Sequence, residues 1–102
     1  MSKGYVIFTE GPIQDQASMD AYGQKSFPSM MQAGGRLLVA DDAPEVLEGA
    51  WGAARTVIIE FDSVDAARAW YTSPEYQASI PLRHAAADTE VVLMSGFEMP
   101  GH

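Results

Sequence analysis

The stretch from Glu60 to Arg83 constrains this chain more than any other, because it contains two helix starts separated by a stop. An apolar strand ends at Phe61. Asp62 and Ser63 follow as alternative N-caps, with Asp65 completing a capping-box pattern. Val64, Ala67, Trp70 and Tyr71 then fall at helical spacing and form one buried face. After Tyr71-Thr72, Ser73-Pro74-Glu75 starts a second helix with a cap, a proline at the first helical position and an acid in the first turn. Pro81 forbids one regular helix onward to Ala87, which predicts a further kink at Ile80.

The rest of the chain is read around that landmark. Gly4 to Glu10 is strand-like and is closed by Gly11-Pro12. From about Asp15 to Ala33 the period becomes helical, with Met19, Tyr22, Ser26, Met30 and Ala33 on one stripe. Pro28 predicts a kink or break near Ser26-Phe27, and Gly34-Gly35 ends the helix. Arg36 to Ala40 reads as a second strand, continued past Asp41-Asp42-Ala43-Pro44 by Glu45 to Leu47. Gly49 to Ala54 is a loop, Arg55 to Phe61 a third strand and Glu90 to Phe97 a fourth. The order strand, helix, strand, strand, helix, strand implies a ferredoxin-like α+β fold: a four-stranded antiparallel sheet with its helices on one face. A single domain is expected over 1–97, with a short tail over 98–102.

These strands do not alternate apolar and polar residues, as a sheet with one wet face should. Tyr5 and Ile7 oppose Val6 and Phe8, Ile58 opposes Val57 and Ile59, and Val92 and Met94 oppose Val91 and Leu93. Helices cover one face only. A homodimer joined through the open sheet face is the economical way to bury the other, with each aliphatic side chain contributing about 1.5–3 kcal/mol; a ligand cavity under a lid, or a monomer with an apolar surface, is the alternative.

Composition narrows the partners. The chain has 102 residues, so a small core must be supplemented, and with no Cys there is neither a disulfide nor a thiolate site. A net charge of −8, from 14 acidic and 6 scattered basic residues, argues against nucleic acid. No segment reads as a signal peptide or membrane span, and a cytoplasmic location is expected.

Six residues stand out as site candidates. Arg83 shares a helical stripe with Tyr76, Ile80 and Ala87, and a guanidinium on an apolar face needs an anion; Glu60 or Asp88 would pair with it, or a substrate anion would. His84 is a candidate general base, set against a merely packed or exposed role. Glu60 is a candidate acid or base if its face lines a cleft, with its pKa raised by burial; pairing to Arg36 or Arg83 is the alternative. Trp70 and Tyr76 would hold a flat apolar ligand or form core. Arg36, after two glycines, is a candidate anion contact without a nucleotide-binding context. His84 and His102 make no metal pattern, so neither metal nor cofactor is expected.

Gly4-Tyr5-Val6-Ile7, Gly34-Gly35-Arg36-Leu37-Leu38-Val39, Glu60-Phe61-Asp62-Ser63, Ala67-Arg68-Ala69-Trp70-Tyr71, Ser73-Pro74-Glu75-Tyr76 and Arg83 with Ala85-Ala86-Ala87-Asp88 resemble the domain-of-unknown-function family numbered 1330. The resemblance spans nearly the whole chain. It implies membership of the dimeric α+β barrel superfamily, in which two sheets face each other. That superfamily includes cofactor-free monooxygenases, isomerases, dehalogenating enzymes, cyclases and haem enzymes. The resemblance therefore implies a list: a cofactor-free enzyme on a small apolar or aromatic metabolite, a non-catalytic binding module, or an assembly protein with a filled barrel.

Overall fold

A computed structural model describes residues 2–100; His102, at the end of the expected tail, lies outside them. The elements are β1 (Gly4–Glu10), α1 (Gln16–Gln32), β2 (Arg36–Asp41), β3 (Arg55–Phe61), α2 (Val64–Thr72), α3 (Pro74–Gln77), α4 (Ile80–Ala86) and β4 (Thr89–Ser95). The sheet runs β2-β3-β1-β4 with every neighbouring pair antiparallel. This is the ferredoxin-like order, and the sheet is open at both edges.

Local chemistry explains where the elements begin and end. Asp15 caps α1 through Ser18 N–H (3.1 Å). Ser63, rather than Asp62, caps α2 by accepting from Ala66 N–H at 3.0 Å. Ser73 caps α3 through Tyr76 N–H (3.2 Å). The chain breaks again at Ala78-Ser79, where the buried Ser79 hydroxyl donates to the Tyr76 carbonyl (2.6 Å). Gly34 takes φ +80 after α1, the left-handed conformation that suits glycine. Gly35 lets β2 pass close: an added Cβ would sit 2.6 Å from Met30 Cγ and 2.9 Å from Phe61 Cε2.

Three sequence expectations need correction. The first helix runs through Pro28 without a break. Proline fits helical φ, and the one carbonyl it deprives of a donor belongs to Gln24, an exposed residue open to solvent. The second strand stops at Asp41 and does not resume at Glu45–Leu47. Asp41 Oδ1 accepts from Ala43 N–H (2.8 Å), an Asx turn that carries the chain away from the sheet, and Pro44 has no N–H to return to it. The fourth strand ends at Ser95, two residues early, although Gly96 N–H still reaches the Lys3 carbonyl (2.8 Å).

The core lies between the sheet and the helices. Val6 and Phe8 of β1 and Val57, Ile59 and Phe61 of β3 meet Met30, Ala67, Trp70 and Tyr76. Trp70 lies at the centre, with ring centroids 4.2 Å from Tyr76 and 5.4 Å from Phe61. Its indole N–H, which burial would otherwise strand, donates to Ser29 Oγ (3.1 Å).

The opposite face is uncovered. By register, Tyr5, Ile7 and Thr9 lie on it beside Thr56, Ile58 and Glu60, and beside Val92 and Met94. Val92 is 45% and Met94 51% exposed. The body is flat, 47 × 38 × 15 Å, with a radius of gyration of 14.3 Å, against about 13 Å for a compact domain of this length. Among the described residues, no helix is long and apolar enough to cross a membrane.

Candidate active site

A cleft of about 710 Å³ opens between α1 and the helix side of β1, β2 and β3. The sheet contributes Phe8, Val57, Ile59 and Leu37, and α1 contributes most of the facing wall, from Gln16 to Met30. Most of this lining is apolar or aromatic, the ordinary composition of a small-molecule site.

One buried carboxylate interrupts it. The strand period that buries Gly4, Val6 and Phe8 places Glu10 on the same inward face, and Glu10 is only 2% exposed. Arg55 lies directly across the β1–β3 ladder, and its Nε comes within 3.1 Å of Glu10 Oε1. The N–H is not directed at the oxygen, so neither atom completes a hydrogen bond there. Burial raises the Glu10 pKa above the usual carboxylate range, and Arg55 and Arg83 only partly oppose it. A carboxylate that is buried, incompletely hydrogen-bonded and shifted toward neutrality beside an apolar cleft is equipped to take and return a proton.

The backbone holds this group firmly. The Glu10 carbonyl accepts from Ala54 N–H (2.8 Å), and Gly11 N–H donates to the Asp88 carbonyl (2.8 Å). A second cavity, of about 550 Å³, meets Glu10 from the strand ends and is lined by Trp51, Asp88 and Glu90 among others.

Behind the cleft wall stands an aromatic and cationic layer. The Tyr22 and Tyr76 hydroxyls are 2.8 Å apart. Burial raises the pKa of both phenols, that of Tyr22 far above its ordinary value, so both stay protonated. Arg83 is 2% exposed, with its guanidinium carbon 5.7 Å from the Phe8 ring centre and 5.9 Å from that of Tyr22. Neither Glu60 nor Asp88 pairs with it, contrary to expectation.

The sequence candidates thus divide between two sides of the sheet. Trp70, Tyr76 and Arg83 come together on the helix side; Trp70 lines the cleft and Tyr76 is fully buried core. Glu60 and Arg36 lie on the open side. There Arg36 Nε donates to Glu60 Oε1 (2.9 Å), Tyr5 O–H donates to Glu60 Oε2 (2.8 Å), and Arg36 also reaches Asp62 (3.1 Å). The Glu60 pKa is lowered, first by the Tyr5 hydrogen bond and then by Arg36, not raised as burial would have it. His84 is exposed on α4 and lines none of the cavities described above. Sequence reading missed Glu10 and Arg55. The available signal was the alternation of β1, which carries a carboxylate onto the face of Val6 and Phe8.

No group of three or more His, Asp or Glu side chains suited to a metal occurs among the described residues. The family model described as "Domain of unknown function (DUF1330)" matches residues 3–97. The chain belongs to that family. Among solved structures, a protein of unknown function from Rhodopseudomonas palustris superposes with a TM-score of 0.75 at 19% identity, covering 96% of this chain and 85% of that one. A cofactor-independent oxygenase from Streptomyces nogalater, SnoaB, gives 0.69 at 11% identity over the full length of both chains. A dimeric protein of unknown function with a ferredoxin-like fold, from Bacteroides fragilis, gives 0.55 at 12% identity, covering 92% of this chain and 95% of that one. At these identities the likeness is one of fold. No curated protein matches the sequence.

Proposed function

We propose that this DUF1330 protein is a small homodimeric enzyme that moves a proton on an apolar, carbonyl-bearing or aromatic metabolite without a bound cofactor. The observation that carries the reading is Glu10: a buried carboxylate with a raised pKa, at the wall of an apolar cleft, opposite an arginine that it does not fully engage. Glu10 would remove or return the proton. Arg55, partly exposed and able to release its loose contact, would stabilise negative charge developing on the substrate oxygen. Proton removal next to a carbonyl is a first step common to isomerisation, cyclisation and oxygenation, and the structural neighbour SnoaB is a cofactor-independent oxygenase.

The dimer is the second half of the proposal. The uncovered face, the 15 Å thickness of the body and the dimeric neighbour from Bacteroides fragilis support it. A second reading, a binding module without catalysis, draws on the same 3.1 Å Glu10–Arg55 contact, because a passive site has its charges paired.

The two are separated by hydrogen–deuterium exchange at carbon, followed by NMR with enolisable ketones such as phenylacetone and cyclohexanone in deuterated buffer. Exchange faster than buffer, and lost in Glu10→Gln, is the expected result. Binding of these ketones without enhanced exchange would leave the passive module as the better account.

A further inference from the structure

Arg83 poses a charge problem that the proton-transfer reading leaves unsolved. It is 2% exposed, its Nε has no hydrogen-bond partner, and among the described residues no carboxylate comes within ion-pair distance. The guanidinium has a hydrogen bond to the Tyr76 hydroxyl, which is neutral, and a buried cation without a counter-charge is costly. The faces of Phe8 and Tyr22 offset part of that cost through their ring quadrupoles. Aromatic rings, however, carry no net charge.

The balance around the cleft is uneven. Glu10 is the buried carboxylate in this region, and Arg55 already faces it at 3.1 Å. Asp20 lies at the exposed mouth, where Gln16 donates to it (2.9 Å). One buried and one partly exposed guanidinium group therefore stand against one buried carboxylate. Both rings that contact Arg83 also line the cleft.

Resting on the small-molecule reading above, we infer that the cleft selects an organic monoanion, an apolar or aromatic body carrying one carboxylate, with Arg83 as the group that recognises the charge. Arg83 stands behind the half-buried Tyr22 ring and does not itself line the cleft, so that ring must swing aside for the anion to meet it, while the body lies along Phe8, Val57 and Ile59. A single uncompensated positive charge matches a carboxylate and not a phosphate dianion, whose second charge would stand against Glu10. The planar fork of arginine also offers two parallel donors to a carboxylate.

The test compares carboxylates with their neutral isosteres: benzoate against benzamide, and hexanoate against hexanamide, titrated by NMR into wild type, Arg83→Met and Arg83→Lys. The wild type is expected to prefer each acid by about tenfold or more, with the Arg83 Nε–H resonance shifting on addition of benzoate. Arg83→Met should bind the amides as before and lose the preference, and Arg83→Lys should keep part of it. Should Arg83→Met fail to fold, the wild-type Nε–H shift and the lysine variant still decide. Equal affinity for acid and amide, a preference that survives in Arg83→Met, or no binding of either acid overturns the inference. Glu10→Gln separates this outcome from the earlier one. A protein that exchanges carbon-bound hydrogen without preferring acids refutes the anion site alone, and one that prefers acids without exchange refutes the proton-transfer step alone.

Discussion

On one face of the sheet Glu60 receives hydrogen bonds from Tyr5 and Arg36; on the other, Glu10 faces Arg55 with no hydrogen bond formed between Oε1 and Nε. Both are glutamate–arginine pairs spanning strands, and their distances, 2.9 and 3.1 Å, are almost equal. Their chemistry is opposite. At the open face, donors satisfy the charge and the pKa falls; in the cleft, burial outweighs a poorly aimed partner and the pKa rises. Proximity of opposite charges does not by itself make a salt bridge that stabilises the ionised form. Alignment and solvent decide.

The largest expected effects come from placing a charge on each face in turn. Ile59→Asp, on the buried side, should unfold the chain or cost about 3–5 kcal/mol in denaturant titration. Val92→Asp, on the open side, should leave a folded subunit and abolish dimerisation. Light scattering should then give the mass of one 11.0 kDa chain where the wild type gives two. A wild type that is monomeric at micromolar concentration would remove the distinction between the faces as drawn here.

Next in size is the contrast between the two carboxylates. Glu10→Gln should reduce ketone hydrogen exchange by about 100-fold or more, the usual span of a general base. Glu60→Gln should leave it within about twofold. Equal losses would show that the cleft is not where the proton moves.

Stability against pH should separate the pairs by sign. The Glu10 pKa is raised in the folded protein, so the folded state holds its proton more tightly than the unfolded chain. Its effect is a loss of stability as pH rises from the ordinary carboxylate range through the raised value. Glu60 and Asp62 are lowered, so their contribution is present above the ordinary range and fades as pH falls through their folded values. Chemical melts across the acid range should show Glu10→Gln flattening the loss at higher pH and Glu60→Gln flattening the loss at lower pH. The smallest effect is expected of Arg36→Gln, a half-exposed partner whose removal should lower stability slightly and less so in high salt.

The fold was legible because its signals are local. Ser63, Ser73-Pro74 and Gly34-Gly35 act on their own neighbours, and the lack of alternation in β1, β3 and β4 disclosed a second apolar face. What failed were two particular readings: the break at Pro28, which α1 runs through, and the resumption of β2 after Asp41, where the chain turns out of the sheet. The site was harder, because it depends on which cross-strand neighbours meet on which face. Glu60 drew attention by standing in an apolar strand, yet its parity puts it on the open side, where Tyr5 and Arg36 already satisfy it. Glu10 passed unnoticed at a strand end. Its meaning depends on Arg55 across the ladder and on α1 closing over it, neither of which is written near residue 10.

The cleft is built from two walls with unequal freedom to change. One is β1 and β3, where Phe8, Val57 and Ile59 are buried and Glu10 is tied on both sides, so almost any substitution there is felt by the whole subunit. The other is α1, where Gln16, Asp20, Gln24 and Phe27 line the cleft yet are exposed, and where a Cβ added at Gly23 would meet nothing within 4 Å. A change of Gly23 to Ala would even favour the helix, by about 1 kcal/mol. On the reading proposed above, α1 is the wall with room to change, and with it the shape of molecule admitted, while the carboxylate stays where the sheet put it. On that reading, substitutions that alter which ligand is admitted without unsettling the fold lie between residues 16 and 28.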